Sequence, residues 1–325
     1  MRKILFSTTA LATVVGTMAV ANADVSISGA TEWRYLSVSD TDQATNSDTD
    51  FNADHDVTIS FSSTADNGLT MTMSQNLSNQ SSGTSTSSIS GDFGTISWSQ
   101  GSSSSHAASA FDVTSVGIAG GHGDGGFTVY DGSNTAVVGV GHDEALISDA
   151  EDGVLAFYSP SFNGFSFGVS VSHLDFGDSN QSNSAGASYT GSVGDVSYTI
   201  GAATYDGTAT TIEGSHLGAN VSMGDITVGF GSASNRSSST SKEDVNSYSI
   251  NYAMNDQITI NVGHADSENH AGSTNKDLSN TTIGLSYAIA PGLSASLSSH
   301  SFDYKESSVT VNDGSAIDFE IQMSF

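Results

Sequence analysis

The last ten residues constrain this chain more than any other stretch. Ile317, Phe319, Ile321, Met323 and Phe325 fall on one parity, and Asp318, Glu320, Gln322 and Ser324 fall on the other. Side chains alternate across a β-strand with period two, so the segment has one oily face and one wet, charged face. A strand that crosses a bilayer as part of a barrel is about 9–11 residues long and has this two-faced character.

The same alternation returns along the chain. Val57, Ile59 and Phe61 oppose Asp56, Thr58 and Ser60; Phe165, Phe167, Val169 and Val171 share one face, as do Leu217, Ala219, Val221 and Met223, and Ile283, Leu285 and Tyr287. Helical periodicity does not recur, and repeated period-two alternation signals an all-β protein. Seven tight breaks, at 64–68, 90–94, 159–164, 192–195, 222–225, 253–256 and 289–292, are rich in Gly, Asn, Asp and Pro, residues that accept turn geometry. The connections between those hairpins are longer and rich in Ser, Asp, Asn and Gly. Short turns at one end and long loops at the other are the asymmetry of a transmembrane antiparallel β-barrel. Fourteen hairpin strands plus the first (25–36) and last (316–325) segments predict sixteen strands, or eighteen if 131–134 is an eighth turn of the wall. Between 101 and 152 the alternation weakens. A structureless stretch of that length suits a barrel wide enough to take it into the lumen better than a compact domain.

The amino terminus fits export. Arg2 and Lys3 precede an apolar, small-residue stretch, and Ala21 and Ala23 frame an A-x-A cleavage pattern, so residues 1–23 are expected to be a signal peptide and 24–325 the barrel domain. No later segment approaches the roughly 18 apolar residues a spanning helix needs. Cysteine is absent, which excludes disulfides, thiolate metal sites and cysteine nucleophiles. After cleavage, five basic residues face 35 acidic ones, a balance of −30. Such a field repels nucleic acid and anionic lipid and concentrates cations.

Together these segments resemble the general porins of Gram-negative outer membranes, in particular the 16-stranded alphaproteobacterial type. Residues 24–29 resemble that family's first strand, 91–97 its second turn and the strand leading to loop 3, and 158–168 its third turn. The closing strand with Phe325 matches its assembly signal. The resemblance implies passive diffusion of small hydrophilic solutes and ions, a homotrimer in outer-membrane lipid, recognition of Phe325 by the barrel assembly machinery, and a loop 3 (101–152) folded inward as the constriction. Family members usually set acids on loop 3 against a cluster of wall arginines. Here parity places only Arg34 on the inner wall, with Arg236, Lys242, Lys276 and Lys305 in or near outer loops, so a weaker transverse field is expected.

The candidate residues follow. On loop 3, Asp112, Asp124, Asp143 and Glu144 are candidates for an acidic, cation-preferring constriction. Asp112 stands out because it follows the apolar stretch 107–111, which could anchor the loop to the wall. Glu32, Arg34, Asp318 and Glu320 face inward by parity on strands that must be neighbours if the barrel closes, and Arg34 is expected to pair with a carboxylate there. Asp48, Asp50, Asp54 and Asp56 begin like a calcium loop, but Ala53 and Ile59 occupy the glycine and glutamate positions, so calcium would need oxygens from elsewhere. Otherwise no cofactor is expected. Trp33, Tyr35, Trp98, Tyr158, Phe162, Phe165, Tyr205, Tyr252, Tyr287 and Phe325 are assigned to outward aromatic girdles. Two other classes were weighed: a secreted acidic calcium-binding β-protein or adhesin, which should show a fixed repeat, and a barrel enzyme, for which no G-x-S-x-G elbow is present.

Overall fold

The computed structural model describes residues 24–40, 49–78, 85–100, 106–113, 127–130, 136–140, 153–173, 181–207, 213–238, 241–271 and 274–325. Sixteen strands close into one antiparallel barrel. They are β1 (Asp24–Asp40), β2 (Thr49–Thr64), β3 (Thr70–Ser78), β4 (Ser85–Gly91), β5 (Gly94–Gln100), β8 (Val154–Tyr158), β9 (Phe165–His173), β10 (Gln181–Val193), β11 (Val196–Gly207), β12 (Glu213–Met223), β13 (Ile226–Ser238), β14 (Ser241–Ala253), β15 (Ile258–Ala271), β16 (Thr274–Ala290), β17 (Leu293–Glu306) and β18 (Val309–Ser324). Two further strands, β6 (Phe127–Tyr130) and β7 (Ala136–Val140), pair only with each other. The strands on either side of 131–134 thus pair off the barrel wall, which keeps sixteen strands; residues 131–134 themselves lie outside the described residues. Among the described residues no helix is long and apolar enough to cross a membrane.

The barrel is built inside out, and parity is the reason. Outward residues such as Ile27 (64%), Met71 (60%), Val169 (47%), Ile283 (59%) and Leu297 (49%) are exposed, whereas inward Ser170, Ser184, Ser247, Thr282 and Ser298 are buried. An apolar belt this continuous far exceeds what a soluble monomer exposes, and it needs lipid or protein against it. A closed barrel leaves no unpaired edge, which the hydrocarbon layer requires. Sixteen strands enclose an aqueous channel.

Closure is made by the two termini. β1 and β18 pair from Ala30 opposite Ser324 to Asp40 opposite Gly314. Beyond that ladder, Gly29 N–H donates to the Phe325 carbonyl (3.1 Å) and Phe325 N–H returns a bond to Gly29 (3.0 Å). A Cβ at Gly29 would lie 2.5 Å from the Phe325 ring, so the glycine is what lets the terminal aromatic lie flat on the seam.

All seven tight breaks join adjacent strands. Gly94, at φ +112°, begins β5 with its would-be Cβ 2.2 Å from the Tyr158 carbonyl, a position closed to any other residue. The expectation of long connections at the opposite end needs correction. β13 ends at Ser238 and β14 begins at Ser241; β15 ends at Ala271 and β16 begins at Thr274; Ser307 and Ser308 alone join β17 to β18, both at positive φ (48° and 69°). Here the polar residues extend the pairing beyond the apolar belt instead of looping. Backbone bonds do not require a two-faced pattern once both faces are wet.

Candidate functional site

The inner wall carries one feature that parity counting alone does not reveal, a seat for the start of loop 3. Ala107–Phe111 forms a single 3-10 turn. His106 (1% exposed), Ala107 (0%), Ala108 (2%) and Phe111 (6%) are buried against the wall. Two inward serines receive the turn's free N–H groups: Ala107 N–H donates to Ser170 Oγ and Ala108 N–H to Ser184 Oγ, both at 3.0 Å. These serines face each other across β9 and β10 at 2.6 Å, and the next pair along, Ser172 and Ser182, is also hydrogen-bonded. The first unsatisfied donors of a helical turn are thus met by the barrel rather than by water.

Glycine makes the approach possible. Gly168, Gly186, Gly201 and Gly218 sit on the inward faces of β9, β10, β11 and β12, with Gly168 opposite Gly186 and Gly201 opposite Gly218. A Cβ would fall 2.6 Å from Phe111 Cε2 at Gly168, 2.7 Å from Phe111 Cβ at Gly186, 2.4 Å from the Phe111 carbonyl at Gly201, and 1.5 Å from the Val113 carbonyl at Gly218. The loop backbone therefore lies where side chains would otherwise stand.

Two aromatic residues complete the seat. Tyr158 lies 6.4 Å from the Phe111 ring, centroid to centroid, and Tyr205 meets His106 edge-on at 5.0 Å. Tyr158 and Tyr205 are expected from the sequence in the outward girdles; the structure turns both inward. Tyr158 pairs with Gly168 on the inward face, and Tyr205 is 1% exposed. Tyr205 lies five positions after outward Ile200, an odd offset, so parity already points inward. Trp33, Tyr35, Trp98, Phe162, Phe165, Tyr252, Tyr287 and Phe325 are exposed as expected.

Asp112 follows the turn, and its Oδ1 lies 2.7 Å from His216 Nδ1, with side-chain exposures of 6% and 0%. The loop acid singled out from sequence is thus set against a histidine of β12 that no sequence motif marks. Asp124, Asp143 and Glu144 lie outside the described residues.

The seam forms the opposite wall. Arg34 donates from Nε and Nη2 to Asp318 Oδ2 at 2.8 and 2.5 Å, and Asp318 is fully buried. The expected pairing is present, although register sets Arg34 directly opposite Glu320 and Asn52, so the guanidinium reaches Asp318 diagonally. Glu32 lies opposite Gln322 and Asp54. Nearby, His300 is held by Thr282 (2.8 Å) and Ser298 (2.9 Å). Above it the inner face is not wet: Leu278, Phe302, Tyr304 and Ala316 are buried and packed with Leu36, Val38 and Val311.

Two placements differ from expectation. Lys276 lies near an outer connection as expected, but inside β16 on the parity of inward Leu278, so Arg34 is not alone on the inner wall; its Nζ is 3.7 Å from Glu306. The acidic run expected as a loop is largely strand, since β2 begins at Thr49. Asp54 and Asp56 therefore fall on one parity of an extended strand, opposite Glu32 and Ala30 of β1, and the Asp50 side chain lies outside the described ones. Asp48 lies outside the described residues. Among the described residues no group of three or more His, Cys, Asp or Glu is placed to hold a metal ion.

Comparison with known proteins agrees with this architecture. A family model described as "Gram-negative porin" matches residues 7–307. Similar solved structures include a mutant porin from Rhodopseudomonas blastica (18% identity, TM-score 0.66, covering 93% of this chain and 100% of that one). A loop L8 deletion mutant of OmpT, an outer membrane protein of Vibrio cholerae, has 12% identity and a TM-score of 0.62, covering 93% and 99%. An anion-selective porin from Comamonas acidovorans has 11% identity and a TM-score of 0.61, covering 93% and 100%. No curated protein matches.

Proposed function

Because the chain belongs to the family of Gram-negative porins, it is a passive diffusion channel of the outer membrane, and we propose that this channel prefers cations. The family consists of non-enzymatic channels, and the barrel crosses the membrane on many strands. The shared fold is neutral about the sign of the ion, since one neighbour of similar shape is described as anion-selective. Charge placement has to decide. One observation carries the reading: among the described residues, the inward lysines and arginines are Arg34 and Lys276, and each lies beside an inward carboxylate, Asp318 or Glu306. The same wall also carries Glu32, Glu320, Asp54 and Asp56, and the whole chain carries 35 acids against seven bases. Rings of acidic side chains favour cations. Asp124, Asp143 and Glu144 join the reading on charge alone. Calcium at Asp50, Asp54 and Asp56 would belong to the same diffuse cation cloud rather than to a closed shell. The test is a reversal potential across a planar bilayer in a potassium chloride gradient; a sign favouring chloride sinks the proposal.

The proposal includes cleavage after residue 23, recognition of Phe325 by the assembly machinery, and a homotrimer. The outward face of β2–β5 and β8 supports the trimer. β4 and β5 are seven residues each and β8 is five. At a tilt of about 45° seven residues rise roughly 16 Å, short of an apolar band about 25 Å tall. That side exposes Phe61, Met71, Met73, Ile89, Ile96 and Trp98. A second copy would cover them better than lipid alone. Sedimentation of detergent-solubilised protein checks this, and a monomeric mass removes the trimer without touching the channel.

A further inference from the structure

We propose that the specificity of this channel is set from the wall rather than from loop 3 alone: the inward glycines Gly168, Gly186, Gly201 and Gly218, with His216, are positioning residues that fix where the constriction segment lies. The inference rests on the channel reading above and adds to it which residues determine the constriction.

Three independent features converge on residues 106–113. The turn's N–H groups end on Ser170 and Ser184. Phe111 and the Val113 backbone fill the space that four missing side chains leave open. Asp112 Oδ1 lies 2.7 Å from Nδ1 of His216, which stands two residues before Gly218 on the same inward face of β12. Together they fix the segment at one end by hydrogen bonds, in the middle by packing and at the far end by the close Asp112–His216 contact. Proteins respond to such contacts by discrete shifts, because packed surfaces do not deform smoothly. A methyl group at Gly218 would sit 1.5 Å from the Val113 carbonyl, where ordinary contact begins at 3.4 Å. The loop backbone must therefore retreat by about 2 Å, carrying Asp112 away from His216 and towards the open lumen. An acid released in this way adds to the field that a permeating ion meets.

The experiment compares wild type with Gly218→Ala, Gly201→Ala, Gly168→Ala and the double variant Gly168→Ala/Phe111→Leu. Heat-modifiable gel mobility first confirms that each barrel is closed. Hydrogen exchange then reads the amides of Ala107 and Ala108 in detergent, and planar bilayers read single-channel conductance and reversal potential. We expect faster exchange at both amides and a shifted modal conductance in the three single variants, with the double variant returning towards wild type because leucine lacks the Cε atom that the new methyl meets. Return in the double variant separates positioning from general damage to the wall. Should any glycine variant fail to close, Phe111→Ala, which empties the seat without touching the wall, must show the same rise in exchange. Closed variants with wild-type exchange and wild-type conductance overturn the inference. The two readings fail separately: a wild-type protein without conducting steps refutes the channel, while the exchange data still decide the seat.

Discussion

Replacing Asp318 by asparagine tests the seam most directly. The substitution keeps the shape of the side chain and removes one charge. Asp318 is fully buried and Arg34 is 19% exposed, and the guanidinium approaches one carboxylate oxygen through two nitrogens. Removing one partner of a buried pair costs roughly 3–5 kcal/mol because the other charge is stranded. Arg34 keeps some contact with water, so the lower end applies, about 3 kcal/mol. With a urea slope of about 3 kcal/mol per molar, the unfolding midpoint should fall by about 1 M. The assay is loss of the heat-modifiable band, or of tryptophan fluorescence from Trp33, which flanks Arg34 in β1. A double variant, Arg34→Met with Asp318→Leu, should recover most of the loss, since a well-packed apolar pair can replace a buried ion pair at little cost. If Asp318→Asn shifts the midpoint by less than about 0.2 M, the pair contributes little and this account of the seam is wrong.

Other consequences are open to measurement. The potassium-to-chloride permeability ratio should decline as salt rises from 0.1 to 1 M, because the Debye length shrinks from about 10 to about 3 Å; a ratio independent of salt would mean that selectivity comes from close contacts and not from the field. Asp112→Asn should loosen the His216 contact and raise exchange at residues 106–113, whereas Glu320→Gln should alter reversal potential without that effect; peptide-resolved exchange distinguishes the two. Ser307→Asn together with Ser308→Gly should stabilise the β17–β18 turn by about 1 kcal/mol, since both positions have positive φ and Asn-Gly is favoured there; an unchanged or lower urea midpoint would count against this. Deleting Phe325 removes both terminal hydrogen bonds to Gly29 and should sharply lower the yield of closed barrel in detergent refolding, with wild-type yield as the contrary result.

Much of the wall was legible in the sequence because a barrel in lipid repeats one rule. Each strand shows lipid one face and water the other, and each tight turn needs residues that accept its geometry. Phe319 and Asp318 carry that rule in adjacent positions. The rule stops where a third environment begins. Tyr158 and Tyr205 look like girdle residues because aromatics suit both lipid and packed protein; residue type does not distinguish the two, whereas an odd offset from outward Leu155 and Ile200 does. Gly168, Gly186, Gly201 and Gly218 share the inward parity, yet an inward glycine in one strand looks like a small residue facing water; their meaning lies in four strands lying side by side. The acidic run at the start of β2 resembles a loop because charge density says nothing about extension. Lys276 escapes the inward count for a related reason: strands that rise past the membrane lose the alternation by which they are recognised.

The hydrogen bonds between Gly29 and Phe325 have a kinetic meaning as well. Every other barrel ladder joins segments that follow one another along the chain, so each can form soon after its own hairpin or loop is made. Only the β1–β18 ladder brings together residues separated by nearly the whole chain, from Gly29 to Phe325. Closing a ring of that length costs about 5 kcal/mol in chain entropy, all of it falling on a single strand pair. The sheet should therefore exist first as an open, curved ribbon with two unsatisfied edges, and become a cylinder in one late event. Pulse-labelled exchange would register that event as protection at Gly29 and Phe325 arriving after protection in the β10–β17 hairpins.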